Sequence, residues 1–516
     1  MSLHESTRIT VVGAGFGGLA LAIRLQARGY RVTLLEKRER VGGRAYQLRR
    51  DGYTFDMGPS LITAPDIIGR VFRSAGTSTD QFLDLVPLDP FYRIYFHDGT
   101  WFDYSGSAAR VKAEMAKFDR ADAAAYDAFM AAVKPIYEAV IEEGLGSVPF
   151  DRLATMSKLL PRALKLGGLS SVYRFAAKYF RHPNNRFAFS FHPLFIGGSP
   201  FRTPGLYIMI PYLERAGGVW YARGGMYSLV EAFERLFRDL GGIIHTNAEV
   251  SEILLDHGRA VGVKVNGLDL RSDAVVWNGD VSHLYRNLIP AAYRRRWTNR
   301  RLDRLHHSMS CFLLYLGVRR QYPQLLHHTI ILSHRYRELV EDIFDRKVLA
   351  NDFSLYLHVP TRTDPTMAPE GCESMYVLAP VPHLGGEIDW SVEAERMKNR
   401  MLEHLEVHSG LKGLRRHLEV CEIFTPVDFA TQLGSYLGNA FSLEPRLTQS
   451  AYFRPHNRSE EVRGLYIVGA GTHPGGGVPG VLLSAEATER CIVEDLGDAQ
   501  PLQFYQSHIP GREVIA

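Results

Sequence analysis

The first forty residues combine two short apolar runs with one stretch of helical periodicity. Residues 9–12 form a β-branched run of the kind that is buried in parallel sheets. Residues 18–28 place apolar side chains on one helical face, and Gly29 follows where a helix often ends in a left-handed glycine. A second apolar run covers residues 32–35. The pattern predicts a strand, a glycine turn, a helix and a second strand.

Later segments repeat this α/β pattern at longer intervals. Residues 108–181 are mostly helix-forming, whereas residues 302–430 mix strand and helix patterns without a recognisable motif. The remaining predicted elements are a helix over residues 227–240, strands over 243–245, 249–255, 260–265, 274–277 and 465–468, and a last helix through Glu486.

Bulk composition narrows the class of protein. A chain of 516 residues is too long for one compact core, so two or more lobes are expected. The net charge of +4 is too weak to indicate a nucleic-acid partner. The four cysteines include no C-x-x-C pair, which argues against a zinc site and against a disulfide framework. This cysteine usage is typical of proteins in a reducing compartment. The early first strand leaves no room for a secretory leader, and no apolar run reaches the ~20 residues of a spanning helix, so we expect a cytoplasmic protein.

The turn between the first strand and the first helix carries a G-x-G-x-x-G pattern. The first glycine permits the tight turn, the second lets backbone approach a pyrophosphate, and the third lets the helix pack on the strand. The helix N-terminus then offers free N–H groups and the positive end of its dipole. Glu36 ends the second strand, where a carboxylate hydrogen-bonds ribose hydroxyls. The turn residues predicted to bind a dinucleotide are Gly13, Ala14, Gly15, Gly17 and Gly18.

Two further glycine-rich segments decide between NAD and FAD. Residues 41–44 follow the second strand directly and resemble the second fingerprint of flavoproteins with two dinucleotide domains; the planar fork of Arg44 suits a diphosphate. Residues 469–480 again follow a strand and open a helix, whose N-terminus stabilises negative charge that develops on an isoalloxazine. A nicotinamide enzyme has no need for this second turn. The sequence therefore predicts FAD.

No catalytic group or metal site can be assigned from the sequence. His473 lies in the C-terminal glycine-rich turn and is interpreted as structural rather than as an acid or base. There is no Ser-His-Asp order, H-E-x-x-H or EF-hand loop, which leaves hydrolase and metal chemistry without support. The catalytic acid or base is therefore left open.

With these residues in place, the chain resembles the bacterial-type phytoene desaturases, carotenoid-pathway dehydrogenases of the flavin amine-oxidase-like fold. The most specific match is residues 464–484, which is similar to G-x-x-x-x-G-A-G-T-H-P-G-x-G-[IV]-P-G; Gly476 stands where relatives more usually carry alanine or another small residue. Further matches are residues 58–60, 195–198, 379–384, 435–445, 447–450 and 453–457. The FAD-contacting positions predicted in addition to the first turn and Glu36 are Lys37, Gly43, Arg44, Gly58, Pro59, Ser60, Val250, Gly469, Ala470, Gly471, Gly477 and Val478.

The resemblance implies FAD as the sole redox cofactor and a long apolar polyene substrate, such as 15-cis-phytoene, dehydrogenated stepwise to lycopene or a related product. It implies that hydride passes from an allylic carbon to the flavin while a proton leaves the adjacent carbon, and that quinone or oxygen reoxidises the flavin. A carotenoid isomerase or ketolase, an amine oxidase, and a flavin-free prenyl-binding escort protein on the same fold are the alternatives.

A basic segment separates Asp151 from Glu214. It contains no acidic residue and nine basic ones, interleaved with leucines and aromatic residues, as in helices that lie in bilayer interfaces. Because a polyene is nearly insoluble in water, the enzyme must collect it from lipid. We therefore hypothesise a peripheral docking face on the inner side of the cell membrane; the alternative is a solvated surface paired with acids elsewhere. A second basic run, residues 294–304, is interpreted as charged helix surface.

The predicted fold class is α/β. A Rossmann-like FAD-binding domain, of the type found in flavoproteins with two dinucleotide domains, is assembled from residues 1–90, 220–300 and 455–516. An α+β substrate-binding domain is inserted as residues 91–219 and 301–454, and within it residues 151–213 are the candidate membrane-facing helical region.

Overall fold

The computed structural model describes residues 7–497. Its strands are β1 (Arg8–Val12), β2 (Arg31–Leu35), β3 (Gln47–Arg50), β4 (Tyr53–Asp56), β5 (Leu85–Pro87), β6 (Tyr92–Tyr95), β7 (Trp101–Tyr104), β8 (Trp220–Ala222), β9 (Ile243–His245), β10 (Val250–Asp256), β11 (Arg259–Val265), β12 (Leu268–Arg271), β13 (Ala274–Trp277), β14 (Ser310–Val318), β15 (His328–Ile331), β16 (Leu355–His358), β17 (Glu373–Val381), β18 (Leu418–Phe424) and β19 (Leu465–Ile467). Its α-helices are α1 (Phe16–Ala27), α2 (Pro65–Ser74), α3 (Ala108–Ala116), α4 (Arg120–Tyr137), α5 (Leu153–Lys165), α6 (Val172–Ala176), α7 (Pro183–Ala188), α8 (Ile210–Gly217), α9 (Met226–Asp239), α10 (Val281–His283), α11 (Asn299–Asp303), α12 (Tyr336–Glu341), α13 (Trp390–Val407), α14 (Pro426–Thr431) and α15 (Val478–Leu496).

A five-stranded parallel sheet, in the order β19-β13-β1-β2-β9, forms the centre of the nucleotide half. All four residues of β13 and the last four of β1 are buried, as expected for strands covered by helices on both faces. Helices α1, α9 and α15 contribute to the adjoining core. The five strands come from residues 8–35, 243–277 and 465–467 of the chain, so widely separated segments build one sheet.

The first βαβ unit follows the sequence prediction closely. Helix α1 begins at Phe16, two residues before the predicted start, because Gly15 is already the N-cap in extended conformation. The helix ends at Ala27, and the following Gly29 takes a left-handed φ of 91°. Residues Arg8 to Val12 pair in parallel with Arg31 to Leu35, which aligns the carboxyl ends of both strands at one edge.

A seven-stranded mixed sheet, in the order β18-β14-β17-β16-β15-β6-β7, forms the floor of the other half. Only the β15–β6 pair is parallel; the others are antiparallel. Every residue of β14 is buried, because α13 covers one face through Trp390 and Met401 while aromatic residues cover the other. Such a strand has no polar–apolar alternation, which is why residues 302–430 could not be interpreted from sequence.

Residues 108–217 form helices α3 to α8, in agreement with the helix-forming pattern of residues 108–181, and α3, α4, α6 and α7 pack into the core that includes the second sheet. Helix α5 differs from the others because none of its residues is buried. Leu153 at its start and Leu169 just after its end are 64% and 71% exposed. No helix within residues 7–497 is both long enough and apolar enough to cross a bilayer. The division into two domains with the boundaries given above stays a prediction.

Candidate functional site: a cavity between two glycine-rich turns

The first glycine-rich turn has the geometry of a phosphate-binding loop. Gly13 has a φ of 98° and its N–H donates to the carbonyl of Leu35 at 2.7 Å, which ties the turn to β2. A Cβ on Gly18 would lie 2.1 Å from the Gly13 carbonyl oxygen, so the helix packs too closely for any side chain. Among the described residues, no side chain caps α1. The first-turn N–H groups of α1 are therefore available to an anion.

Glu36 is held at the end of β2 by backbone donors. Its Oε2 accepts from the Ala14 N–H at 2.9 Å, and its Oε1 accepts from the Arg38 N–H at 3.1 Å. A carboxylate has about four acceptor positions, so two remain for ribose hydroxyls. The side chain is 5% exposed and lines the cavity. Its position agrees with the ribose-binding role predicted for it.

Gly43 lies against the first turn, and Gly58 packs against Arg44. A Cβ on Gly43 would lie 3.1 Å from the Gly15 Cα, and one on Gly58 would lie 2.2 Å from the Arg44 carbonyl oxygen. The Arg44 guanidinium donates through Nη2 to Ser435 Oγ at 2.8 Å, whereas its buried Nε has no hydrogen-bond partner. Burial lowers the pKa of this guanidinium, and nearby Asp280 acts in the opposite direction. An arginine with a donor left over is suited to an anionic ligand.

The C-terminal turn is organised by buried side chains. The Gly469 N–H donates to Ser484 Oγ at 3.0 Å, and Arg454, which is 1% exposed, donates through Nη2 to the Ala470 carbonyl at 2.7 Å. Gly477 is the N-cap of α15, and no described side chain caps that helix. A second helix N-terminus therefore points into the cavity.

The two glycine-rich turns meet in space. A Cβ on Gly17 would lie 3.2 Å from the Gly469 Cα. Asn278, at the end of β13, stands between them: its Nδ2 donates to the Gly13 carbonyl at 2.9 Å. A Cβ on Gly469 would lie 2.6 Å from the Asn278 Oδ1. Strand β13 pairs with both β1 and β19, which is how segments some 450 residues apart present one continuous surface.

Most of the predicted binding residues line this cavity, which encloses about 510 Å³, a volume typical of small-molecule sites. Ala14 and Gly18 do not line it: the first holds Glu36 and the second packs against Gly13. The predicted residues that line it are Gly13, Gly15, Gly17, Glu36, Lys37, Gly43, Arg44, Gly58, Pro59, Ser60, Val250, Gly469, Ala470, Gly471, Gly477 and Val478. The binding role of each stays a prediction.

The glycine cradle, the two uncapped helix N-termini and the unpartnered Arg44 Nε fit an FAD diphosphate and its ring system. Residues that the sequence interpretation missed include Arg38 and Asn278. Asn278 could have been found from topology, because it follows a buried parallel strand adjacent to β1, and ligands bind at the carboxyl ends of such strands.

The opposite end of the cavity is lined by apolar and aromatic side chains. These are Leu194, Phe195, Leu313, Ile330, Leu332, Tyr356, Leu378, Phe424, Phe429 and Leu433. The Tyr356 hydroxyl of this wall is satisfied internally, since it contacts Ser60 Oγ at 2.6 Å and His328 Nδ1 at 2.8 Å. Such a lining favours a long hydrocarbon over a charged ligand.

A cluster of three buried histidines lies behind this wall and was not predicted. Nε2 atoms of His327 and His358 are 3.1 Å apart, and His327 Nδ1 contacts Thr363 Oγ1 at 2.6 Å. The three residues have ligand-type nitrogens within 4.8 Å of one another. Burial lowers the pKa of all three, that of His327 to about 3, so the rings are neutral at pH 7. Within the cluster His327 bonds to His358, whereas His328 Nε2 and His358 Nδ1 have no hydrogen-bond partner.

One carboxylate lies in the apolar part of the cavity wall. Glu214 lines the cavity and is completely buried. Its Oε2 accepts from the Tyr92 hydroxyl at 2.7 Å, and that hydroxyl also contacts His192 Nε2 at 3.0 Å. The other oxygen, Oε1, has no hydrogen-bond partner. Burial, together with the Glu214 charge, raises the pKa of Tyr92 well above its usual value, so this tyrosine stays a donor.

His473 is buried, with its ring centroid 4.6 Å from that of Phe150. Burial lowers the pKa of His473 to about 4, which keeps the ring neutral. At Gly476 a Cβ would lie 3.4 Å from the carbonyl oxygens of Ile196 and Phe441, so the alanine that is usual there would fit. Both observations agree with the sequence interpretation.

Comparison with known proteins identifies the family. The family of flavin containing amine oxidoreductases matches this chain in sequence over residues 16–492. A lycopene-forming phytoene desaturase of Pantoea ananas is 46% identical over 500 residues, which cover 94% of this chain and 99% of the relative. A neurosporene-forming phytoene desaturase of Rhodobacter capsulatus is 43% identical, with 94% of each chain covered. Among solved structures, an oxidoreductase of Methanosarcina mazei superposes with a TM-score of 0.62 at 18% identity, covering 94% of this chain and 100% of that one.

The chain belongs to the flavin containing amine oxidoreductases, and within them to the family of the bacterial phytoene desaturases. The predicted fold class, FAD as cofactor and oxidoreductase activity are thereby confirmed. The flavin-free escort alternative is set aside.

Proposed function

We propose that the protein desaturates a long apolar polyene of the phytoene type, yielding lycopene or a related carotene. The observation that carries this proposal is a single cavity whose lining runs from two glycine-rich turns to an apolar, aromatic wall. The names of the relatives support it, because they specify phytoene desaturases that form lycopene or neurosporene.

The nucleotide end provides the FAD contacts. The N–H groups at the start of α1 and the Arg44 guanidinium would hold the diphosphate, and Glu36 would accept from the ribose. The N-terminus of α15 would lie against the flavin ring, where its dipole stabilises negative charge. FAD supplies the hydride acceptor for the oxidation of a C–H bond.

The apolar end positions the polyene. Aromatic and aliphatic side chains such as Phe195, Leu332 and Phe429 exclude water and offer no partner to a polar substrate. Apart from the buried Glu214 carboxylate, most of this wall consists of side chains that offer no hydrogen-bond partner to an amine. The geometry therefore favours hydrocarbon oxidation over amine oxidation.

Incubation with FAD and phytoene in liposomes, followed by chromatography of the products, tests the proposal. We expect coloured, more conjugated carotenes to form, and quinone or oxygen to be needed for more than one turnover. Geometric isomers without added double bonds would instead indicate an isomerase, and oxygenated products would indicate a ketolase.

We also propose that α5 docks the protein on a membrane surface. The helix is unburied, and Leu153, Leu160, Leu164 and Leu169 are all exposed among basic residues. Phe150, just before α5, contacts His473, so the helix begins beside the C-terminal glycine-rich turn. The alternative interpretation, in which the basic residues form a solvated surface and pair with acids elsewhere in the fold, holds for part of this basic segment.

Two of the basic side chains on this face are paired with acids: Arg152 with Glu494, and Arg162 with Glu143. Exposed pairs of this kind contribute little and are exchangeable for lipid phosphates. Flotation with anionic liposomes at moderate salt tests the docking. We expect wild-type protein to float and a Leu160→Ser/Leu164→Ser variant to float less; equal flotation of both would remove α5 from the interface.

A further inference from the structure

Three histidines meet where β15 begins and β16 ends. His327 comes just before β15, His328 is the first residue of β15, and His358 is the last residue of β16. The two strands are antiparallel, and His328 lies directly opposite His358 in the ladder. Directly opposite residues of an antiparallel pair place their side chains side by side on one face of the sheet. The pairing register therefore brings three imidazoles together from two segments of the chain.

The spacing of the ring nitrogens is close to that of a metal site. The Nε2 atoms of His327 and His358 are 3.1 Å apart, and one ring nitrogen of each of the three histidines lies within 4.8 Å of the other two. Two nitrogens that bind one tetrahedral zinc ion at about 2.0–2.1 Å lie about 3.3 Å from each other. The closest pair is already near this separation, and a shift of the third nitrogen by about 1.5 Å or less completes the set.

Hydrogen bonds on the far side of two of the rings hold them in the orientation that metal ligands need. His327 Nδ1 contacts Thr363 Oγ1 at 2.6 Å. His328 Nδ1 contacts the Tyr356 hydroxyl at 2.8 Å, and this hydroxyl also contacts Ser60 Oγ, so it can accept from the imidazole and donate to the serine. A histidine that binds a metal through one nitrogen almost always donates from the other in this way. With Nδ1 as the donor, Nε2 of both rings carries a free lone pair.

The buried cluster lacks enough hydrogen bonds to satisfy its nitrogens. His328 Nε2 and His358 Nδ1 have no hydrogen-bond partner, although the three rings are at most 6% exposed. Buried polar atoms without a partner are uncommon and call for a physical explanation, of which a bound ion is one. Burial also lowers the pKa of all three histidines, so the rings are neutral at pH 7, which is the form that binds metals.

A carboxylate lies behind the cluster. Asp364 is 1% exposed, and its Oδ2 accepts from the Gly224 N–H at 2.8 Å and from the Tyr221 hydroxyl at 3.3 Å. Burial lowers the pKa of His327, and the nearby Asp364 charge acts in the opposite direction. The same negative charge partly balances a cation that is held by neutral ligands.

We propose that His327, His328 and His358 bind one zinc-type cation, which clamps the start of β15 to the end of β16. Imidazole suits transition-metal ions such as Zn²⁺, whereas Mg²⁺ and Ca²⁺ take oxygen ligands. Zn²⁺ has no redox chemistry, so its role is structural and FAD stays the redox cofactor. Through Tyr356, which contacts His328 and lines the cavity, the ion also fixes part of the polyene wall. The proposal does not depend on the desaturation proposed above.

Titration of the full-length protein with Co²⁺ alone, after dialysis against a chelator, tests the site. Four-coordinate Co²⁺ absorbs visible light far more strongly than the hydrated ion, so bands should appear that saturate at one Co²⁺ per chain and that Zn²⁺ abolishes. His358→Gln should weaken binding by about a hundredfold or more, and Thr363→Val, which removes the partner of His327 Nδ1, by about tenfold or more. His257→Gln, at an exposed histidine, is the matched control and should bind as wild type does.

A ligand exchange separates coordination from packing. His327→Cys replaces one imidazole with a thiolate, so its Co²⁺ complex should gain a sulfur-to-metal charge-transfer band that the wild type lacks. Absence of the visible bands in wild type, or equal Co²⁺ affinity in folded His358→Gln, would overturn the proposal and leave a hydrogen-bonded core cluster. Should His358→Gln fail to fold, His327→Cys decides, because a Co²⁺ complex without the sulfur band would equally contradict the site.

Discussion

The two ends of the cavity bind in different ways. At the nucleotide end, backbone groups of glycines such as Gly17 and Gly469 form the surface, and a Cβ on either would lie only 2.6–2.7 Å from the Asn278 Oδ1. At the polyene end, side chains such as Leu332 and Phe429 form the surface. A glycine whose backbone approaches a ligand cannot be replaced by a residue with a side chain. A residue of an apolar wall can be replaced by another apolar residue of similar size. The first end therefore fixes the cofactor, and the second is free to set substrate length.

The largest expected effect comes from Gly18→Ala at the nucleotide end. The new Cβ would lie 2.1 Å from the Gly13 carbonyl oxygen, so either α1 or the turn must move. We expect a loss of about 3 kcal/mol or more in the free energy of unfolding and no measurable FAD binding. Thermal denaturation and flavin absorbance after gel filtration measure both. Gly476→Ala is the control and should behave as wild type; FAD retention by Gly18→Ala would contradict the steric account.

Glu36→Ala should give the next largest effect. In the wild type the Ala14 N–H donates to Glu36 Oε2 at 2.9 Å. The substitution leaves this N–H without a partner and also removes the acceptor for the ribose. A hydrogen bond to a charged group contributes about 1.5–3 kcal/mol, so FAD affinity should fall by roughly 10- to 100-fold. Isothermal titration measures this affinity. Unchanged affinity would show that the ribose does not lie at Glu36.

The histidine cluster behind the polyene wall predicts acid sensitivity. The folded-state pKa of His327 is lowered to about 3 by burial, and those of His328 and His358 lie well below the usual value. Between the unfolded pKa of about 6.5 and these folded values, only the unfolded chain binds the protons, so stability is intact above pH 6.5 and falls as the pH falls.

His327→Gln should reduce this pH dependence by up to about 1.4 kcal/mol per pH unit, because one titrating group is removed. Urea denaturation between pH 7.5 and pH 5 measures the slope. His257→Gln, at an exposed histidine on the surface, is the control and should leave the slope as in wild type. An unchanged slope in His327→Gln would mean that this ring is not the buried neutral group described.

The smallest effect is expected from Leu332→Trp at the polyene end. The larger ring narrows the cavity without touching the glycine-rich turns. Overpacking of about 1 kcal/mol corresponds to about fivefold slower phytoene turnover, with FAD affinity unchanged. Product chromatography should show earlier, less desaturated carotenes. If the variant lost FAD binding as well as turnover, substitutions at the polyene end would not be independent of the nucleotide end.

The nucleotide end could be predicted from sequence because its turns require glycine at fixed positions between a strand and a helix. Asn278 was missed because its role depends on β13 lying between β1 and β19, which no local pattern shows. Glu214 was missed for a similar reason: Tyr92 and His192, which define its environment, are 122 and 22 positions away in the chain. Strand β14 could not be predicted because both of its faces are buried, so its sequence does not alternate between polar and apolar residues.

The most direct test of the account is equilibrium FAD binding by two variants, one in each turn. Gly17→Val and Gly469→Val each place a Cβ 2.6–2.7 Å from Asn278 Oδ1, the side chain that stands between the two turns. The wild-type protein should bind one FAD per chain, and each variant alone should lose it. FAD binding that survives in either folded variant would show that the two turns do not hold one nucleotide together.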